Sequence, residues 1–508
     1  MFSALADYGR LLRAGAALAR HDVVLPAEYQ KRLPPPARLG GRILRLFTGG
    51  ARGRPGERLA KALEGLGPAY IKMGQFLATR PDLFGVEVAN DLSRLKDKLP
   101  PFKESEARKA LSEEFETADA LFSDLGPAVA AASLAQVHRM ETSDGAKAVK
   151  ILRPKVETRI GKELRAMKRA ARTIERAAPD SRRLEPIAFV DTIAASMERE
   201  LDLRLEAGGQ DEMRAISEDD GFYVIPAVDW RRSGRRVLTT QWMEGTPLTD
   251  PGALGGDHID RAELANAVTR GFLSHAIKHG VFHADMHEGN MIVTPDGRLA
   301  LVDFGIMGRI GMNERRFLAE ILWGFIRRDY QRIAEVHFEA GYVPPHQSVG
   351  DFAQALRSVG EPIHGKDASE VSMGKLLLQL FDFTHTFGMH LRPELVLLQK
   401  TMVQVEGVAR SIDPTHDIWT AAEPIVSEWV RTELGPAGAV KVAAKSVRQV
   451  SDRLKRLPEV MDRLEASLDA PQTPPAPAQR ERFAPWWGWF GFILLAGALG
   501  YLYVATLS

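Results

Sequence analysis

The 508-residue sequence predicts an α+β fold in two lobes, with a helical extension in front and a membrane-spanning helix behind. Three observations predict it. Strand-like runs at 146–152, 223–228 and 236–242 gather around one charged helical stretch, 155–216. From Ile259 onward helical patterns dominate, broken by short strands at 291–293 and 299–302 on either side of the turn Pro295-Asp296-Gly297. Finally, Trp486–Leu507 is one apolar run, and no charge stands between Phe483 and Ser508. The resulting boundaries are 1–125 for the extension, 126–245 for the strand-rich lobe, 246–465 for the helical lobe, 466–484 for a Pro/Ala/Gln-rich linker and 485–507 for the span.

Composition narrows the function classes. Hydrophobic residues make up 45% and charged residues 26%, as in folded proteins. A net charge of +1 offers no basic stripe, so nucleic acid is not an expected partner. The absence of cysteine excludes disulfides, thiolate metal sites and cysteine nucleophiles.

The extension opens without the features of a signal peptide. Arg10, Arg13 and Arg20 among Leu11, Leu12, Ala16 and Leu18 give an amphipathic basic helix, read either as a transit-type leader or as an ordinary first helix. Further on, Lys72 and Gln75 of Pro68-Ala69-Tyr70-Ile71-Lys72-Met73-Gly74-Gln75 are three apart and share a helix face.

In the strand-rich lobe, Lys150 lies in Ala148-Val149-Lys150-Ile151. A flexible ammonium on an apolar strand suits the phosphates of a nucleotide, although a plain strand-end lysine looks the same. Upstream runs Val129-Ala130-Ala131-Ala132-Ser133-Leu134-Ala135, where a nucleotide site would carry a glycine-rich phosphate loop. Alanine methyls there narrow the backbone's choices. The charged helical stretch holds Glu200, Asp202 and Glu206. Residues 200 and 206 are separated by about 240° on a continuous helix, so the two glutamates predict two different lysine partners.

The helical lobe carries Phe282-His283-Ala284-Asp285-Met286-His287-Glu288-Gly289-Asn290 and then Asp303-Phe304-Gly305. One carboxylate to orient a nucleophile, with an amide and a second carboxylate to hold magnesium, is what a kinase-type phosphoryl-transfer site needs. Asp285 takes the first role, Asn290 and Asp303 the second, and ATP with Mg²⁺ is the expected cofactor pair. A zinc site at His283 and His287 is the competing reading. It lacks the glutamate that follows the first histidine of a metalloprotease helix, and Gly289 argues against helix.

At the far end Trp486, Trp487 and Trp489 mark one membrane interface and Tyr501 and Tyr503 the other. Arg480 and Arg482 before the span keep the catalytic body cytoplasmic, giving a single-pass protein of the inner membrane. Ala496 and Gly500 form a small-x3-small pair suited to helix packing, the signal for a homodimer.

Taken together, Lys72-x-Gly-Gln75, the alanine-rich loop, Glu200-x-Asp202 and His-Ala-Asp285-x-His-x-Gly-Asn290 resemble the UbiB family of atypical kinases, which is linked to ubiquinone biosynthesis. The resemblance runs from about residue 5 to about residue 465, and it implies a protein-kinase-like fold with the Lys-x-Gly-Gln extension packed over the site. By this resemblance Lys150 contacts phosphates and pairs with Glu206. Lys72 and Gln75 gate the site together with Glu200 and Asp202, through a Lys72–Glu200 pair. Main-chain groups at Gln241, Trp242, Met243 and Glu244 receive the adenine. It further implies membrane lipids or quinone precursors, and quinone-biosynthesis enzymes, as partners. The family's bacterial members usually end in two spans, whereas the charge-free segment here has room for one.

Three functions follow. The first is a Mg-ATP-dependent ATPase or atypical kinase that supports ubiquinone synthesis and does not phosphorylate proteins. A small-molecule or lipid kinase acting on a quinone precursor or lipid head group is the second. The third is a nucleotide-binding scaffold for a quinone-biosynthesis complex.

Overall fold

The structure is a computed structural model that describes residues 2–23, 53–78, 85–92, 95, 100–177, 182, 185–362, 386–389 and 393–435. The expected linker and span, the end of the helical lobe from 436, and the apolar run 376–381 lie outside the described residues. Among the described residues no helix is long and apolar enough to cross a membrane. Two compact units are formed, one from residues up to 208 with 227–242, the other from 209–226 with residues after 242.

The first unit begins with helix α1 (Phe2–Arg20), which seats Leu11 against Ala166 and Ala170. Helices α2 (Pro55–Leu66) and α3 (Pro68–Ala78) meet at Gly67, and α4 (Val86–Leu92) packs against both. Gly74 of α3 is favoured by close approach. A Cβ there would stand 2.8 Å from Leu63 Cδ1 and nearer still to Leu95 Cδ1. Helix α5 (Glu104–Glu114) then turns Ala107, Ala110 and Leu111 inward at helical spacing.

Four antiparallel strands follow in the order β1 (Leu125–Ala131), β2 (Ala135–Met140), β3 (Lys147–Leu152) and β4 (Val237–Gln241). Alternation decides what each face carries. Val149, Ile151 and Val237 pack with α5, while Leu152 and Leu238 pack with the helices. Val137, Lys150 and Leu238 are register partners across three strands, so Lys150 shares the helix-side face.

The single internal helix expected over 155–216 is three helices: α6 (Val156–Ala177), α7 (Pro186–Glu200) and α8 (Leu203–Asp220). Glu200 closes α7 and Glu206 sits in the first turn of α8, so the two acids diverge because the chain breaks at Leu201–Asp202. The 240° argument therefore does not apply to them. Asp202 accepts from the Arg204 backbone N–H at 3.2 Å, as a capping residue does at a new helix start.

The expected strand 223–228 is extended chain with isolated bridges from Val224 to Ala300 and from Val228 to Thr240, not a paired strand. Its local pattern reads as strand, but Tyr223 spends its hydroxyl on the Val268 carbonyl at 2.6 Å and fixes the segment through its side chain.

In the second unit, β5 (Thr246–Pro247) precedes α9 (Arg261–Leu273), whose first turn is capped by Asp260 onto the Glu263 N–H. The hairpin strands β7 (Met291–Val293) and β8 (Leu299–Leu301) form a three-stranded sheet with β5, and β6 (Val281–His283) pairs with β9 (Met307–Arg309). Helices α10 (Met312–Arg327), α11 (Tyr330–Glu339), α12 (Val349–Gly360), α13 (Pro393–Ile412) and α14 (Ile418–Trp429) complete it. The core joins Phe272, Phe282 and Phe304 to Leu398, Met402, Val405 and Ile412 of α13, so the periodicity read in the sequence over 395–408 is a core-facing stripe.

Candidate active site

In the second unit the candidate residues are tied together by His283, the last residue of β6. Its ring is buried and uses both nitrogens. Nδ1 accepts the Asp285 backbone N–H at 3.1 Å, which leaves Nε2 to donate to the Asp303 carbonyl at 2.9 Å. One neutral imidazole thus ties the two carboxylate-bearing segments together, and burial lowers its pKa to keep it neutral. Sequence reasoning treated His283 only as a metal candidate. It lies on a strand rather than a helix, and with both nitrogens bonded to backbone it has no lone pair for zinc. Among the described residues no cluster of three His, Asp or Glu side chains could hold a metal.

Asn290 stands at the end of a short 3-10 turn, Glu288–Asn290. Its Nδ2 donates to the Asp285 main-chain oxygen at 3.1 Å, leaving Oδ1 as an available acceptor. The Val302 N–H bonds the Asn290 carbonyl at 3.0 Å across the hairpin, which brings Asp303 beside it. Asp303 adopts φ 64°, a left-handed conformation uncommon for a residue with a side chain, and its Oδ1 accepts the Gly305 N–H at 3.3 Å. Buried Phe304 anchors this turn against the His283 ring, centroid to centroid 5.2 Å.

The Asp285 carboxylate is partly exposed. Oδ2 lies 3.6 Å from His287 Nε2, while Oδ1 accepts from Gln404 Nε2 at 3.2 Å and lies 3.5 Å from Lys400 Nζ. Lys400 and Gln404 were not singled out by sequence reasoning. The available signal was a lysine and a glutamine four apart within a largely apolar helical stretch.

In the first unit Lys150 Nζ lies 2.7 Å from Glu206 Oε1, with the glutamate side chain nearly buried. The alanine-rich segment is the β1–β2 hairpin: Val129, Ala130 and Ala131 end β1, Ala132, Ser133 and Leu134 form the turn, and Ala135 begins β2. Arg153 holds that turn through its Nε to the Ala132 carbonyl and its N–H to the Leu134 carbonyl, both at 2.7 Å. No residue of 129–135 has a positive φ, so this hairpin needs no glycine.

Lys72 forms an ion pair with Glu200, both largely withdrawn from solvent. Gln75 follows one turn later on α3, half-buried. Asp202 is engaged by Arg204 instead, through Nε at 2.8 Å and Nη2 at 2.6 Å, and these hydrogen bonds lower its pKa. The helix carrying Lys72 is itself held from behind. Glu163 of α6 accepts the Ala69 N–H at 3.2 Å at the start of α3.

In the segment 241–244, the Gln241 N–H bonds the Ala227 carbonyl at 2.8 Å and the Trp242 N–H bonds the Ala146 carbonyl at 2.9 Å. Those two donors belong to the strand arrangement and are closed to a base.

Residues 94–337 match the ABC1 atypical kinase-like domain and residues 356–417 the UbiB helical domain. A curated protein of Marinobacter nauticus, named probable protein kinase UbiB, is 35% identical over 431 residues, covering 84% of this chain and 78% of its own. One of the same name from Aeromonas hydrophila is 35% identical over 466 residues, covering 90% and 85%. A solved chain described as the complex structure of Rv3197-erythromycin from Mycobacterium tuberculosis shares the fold, with a TM-score of 0.50 at 24% identity over 72% of this chain and 94% of that one. The α+β, kinase-like fold expected from the sequence is therefore the fold of the chain.

Proposed function

Because the chain belongs to the UbiB family of atypical kinases, we propose that it is a Mg-ATP-dependent phosphotransferase or ATPase that supports ubiquinone biosynthesis at a membrane and does not act on proteins. The observation that carries this reading is the bonded set His283, Asp285, Asn290 and Asp303. It holds one carboxylate for the nucleophile and two oxygen donors for a cation in the order phosphoryl transfer requires.

Asn290 Oδ1 and the Asp303 carboxylate suit Mg²⁺, which takes few protein oxygens and completes its shell with water and phosphate. The ion would neutralise phosphate charge as it develops. Asp285 accepts the nucleophile's proton. Lys150, steadied by Glu206, offers an ammonium to phosphate oxygens, and the Val129–Ala135 hairpin offers its backbone to them. The carbonyls of Gln241 and Trp242, whose N–H groups are bonded elsewhere, and the main chain of Met243 and Glu244 belong to the segment read as receiving adenine.

The Lys72–Glu200 pair, which fastens the Lys-x-Gly-Gln helix to the end of α7, supports a gating role for that segment against protein substrates. The curated relatives carry the name protein kinase, and our reading departs from that name at this point. The apolar run 485–507, with Arg480 and Arg482 before it, supports a single anchor in the inner membrane, a cytoplasmic catalytic body, and lipid or quinone-precursor substrates. A homodimer through Ala496 and Gly500, and association with quinone-biosynthesis enzymes, belong to the same reading.

The test is phosphate release by the purified full-length chain in Mg-ATP, with and without vesicles containing quinone precursors. Release without an added acceptor supports an ATPase. ADP formation that depends on a precursor or lipid head group identifies a small-molecule kinase. Nucleotide binding with no turnover under any condition overturns both and leaves a scaffold.

A further inference from the structure

Helix α13 belongs to the stretch that matches the UbiB helical domain, outside the stretch that matches the kinase-like domain, yet it touches the residue on which the chemistry turns. Lys400 and Gln404 are four apart on α13 and so share one face. Both reach the same oxygen, Asp285 Oδ1, from Nζ at 3.5 Å and Nε2 at 3.2 Å. Between them buried Thr401 seats the helix on the loop, its hydroxyl 3.4 Å from the Ala284 carbonyl.

The orientation of the Gln404 amide is dictated by charge. With the amide reversed, its carbonyl oxygen would face a carboxylate and the contact would be repulsive. In the orientation observed, Gln404 Oε1 is buried with no partner among the described residues, so the side chain is held by Asp285 and not by a bond to its own oxygen. Lys400 is the complementary case. Its side chain is 42% exposed, its recorded ion-pair partner among the described residues is Asp285, and the contact is longer than a tight salt bridge. Oδ2, by contrast, lies 3.6 Å from the outer ring nitrogen of His287, beyond hydrogen-bond distance. Because His287 Nδ1 accepts the Gly289 N–H at 3.0 Å, the proton of a neutral ring sits on Nε2 and faces Oδ2.

We propose that Lys400 and Gln404 are positioning residues for phosphoryl transfer, which together occupy Asp285 Oδ1 and so present Oδ2 to the nucleophile. This rests on the phosphotransferase reading above. In the step they serve, the nucleophile's O–H bond breaks and its proton passes to Oδ2. Its oxygen bonds the γ-phosphorus, and the bridging oxygen leaves with its electron pair on ADP. A carboxylate free to rotate would offer either oxygen at a range of angles, and misplacement of a catalytic group lowers kcat more than it lowers binding. The UbiB helical domain thereby becomes part of the catalytic apparatus rather than a distant addition to it.

The test uses the full-length chain in detergent and compares the wild type with Lys400→Met, Lys400→Arg and Gln404→Met. Three readouts are taken: steady-state ATP turnover, Mg-ADP affinity by calorimetry, and thermal midpoint. Expected are a fall in kcat of about 10- to 100-fold for Lys400→Met and Gln404→Met, Mg-ADP affinity within about threefold of wild type, and recovery to within about fivefold in Lys400→Arg. If kcat stays within about threefold in both methionine variants, the proposal is wrong while the phosphotransferase reading stands. Equal loss of kcat, nucleotide affinity and thermal midpoint in all three variants, with no rescue by arginine, marks a purely structural contact and also overturns it. A wild-type chain that binds nucleotide without turning it over refutes the phosphotransferase reading, and the positioning proposal falls with it.

Discussion

Asn290 donates its side-chain amide to the main-chain oxygen of Asp285 at 3.1 Å, so the residue proposed as a magnesium ligand also fixes the loop that carries the proposed general base. The two functions separate by substitution. Asn290→Asp keeps an oxygen ligand and loses the donor, while Asn290→Ala loses both. Turnover should fall by about 10²-fold or more in Asn290→Ala, and by less in Asn290→Asp with a changed magnesium requirement. A magnesium titration of ATP turnover checks this, and equal effects of the two substitutions would contradict it.

Lys72 and Glu200 form an ion pair whose side chains are only 10% and 18% exposed. Removing one partner leaves an uncompensated charge, whereas replacing both removes the liability. Lys72→Met should therefore cost about 3 kcal/mol in urea unfolding, and the double variant Lys72→Met/Glu200→Gln should regain part of it. Additive losses would show that the pair is not coupled.

Gly74→Ala tests why the third position of Lys-x-Gly-Gln is glycine. The added methyl meets Leu63 Cδ1 at 2.8 Å and Leu95 Cδ1 more closely. Both are ends of flexible side chains, so they yield at a cost of about 1–3 kcal/mol instead of blocking the fold. The thermal midpoint should fall, and an unchanged or raised midpoint would show that helix propensity outweighs the clash.

The motifs of this site were legible because their chemistry survives compression into a line of letters. Asp285, Asn290 and Asp303 stand at a spacing set by one loop and one hairpin, and β7 coincides with the strand read at 291–293. Lys150 was legible from the apolar strand Ala148-Val149-Lys150-Ile151 and its distance from the alanine-rich segment upstream. The break at Leu201–Asp202 was not, because Glu198–Glu206 contains neither glycine nor proline and Asp202, which caps the new helix, is also common on an exposed helix face. It is the Leu203 N–H bond to the Arg235 carbonyl, 32 residues on, that ends the run. Lys400 and Gln404 were hidden for a related reason. Their partner lies more than a hundred residues away, and locally they are ordinary polar positions on an apolar helix.

Acid should weaken the second unit. His337 is fully buried among Tyr342 and Phe352, with its Nδ1 2.8 Å from the Ile333 carbonyl, and burial pulls its pKa down to about 4. The folded state therefore binds fewer protons than the unfolded one. The stability this residue supports is full above about pH 6.5 and is lost as pH falls toward 4, to a total of about 3 kcal/mol. Denaturant midpoints measured from pH 7 to pH 4.5 should fall, and His337→Leu should flatten the slope. A midpoint independent of pH in the wild type would contradict the burial argument.

The central claim is that Asp285 serves the transfer step and not the binding of nucleotide. Turnover and Mg-ADP affinity of Asp285→Asn, measured side by side on the full-length chain, test it most directly. The amide keeps the shape and can still meet Lys400 and Gln404 through its oxygen, but it cannot take a proton. The account predicts turnover lowered by about 10²-fold or more with affinity within about threefold of wild type. Turnover retained at the wild-type level, with nucleotide still bound, would contradict it.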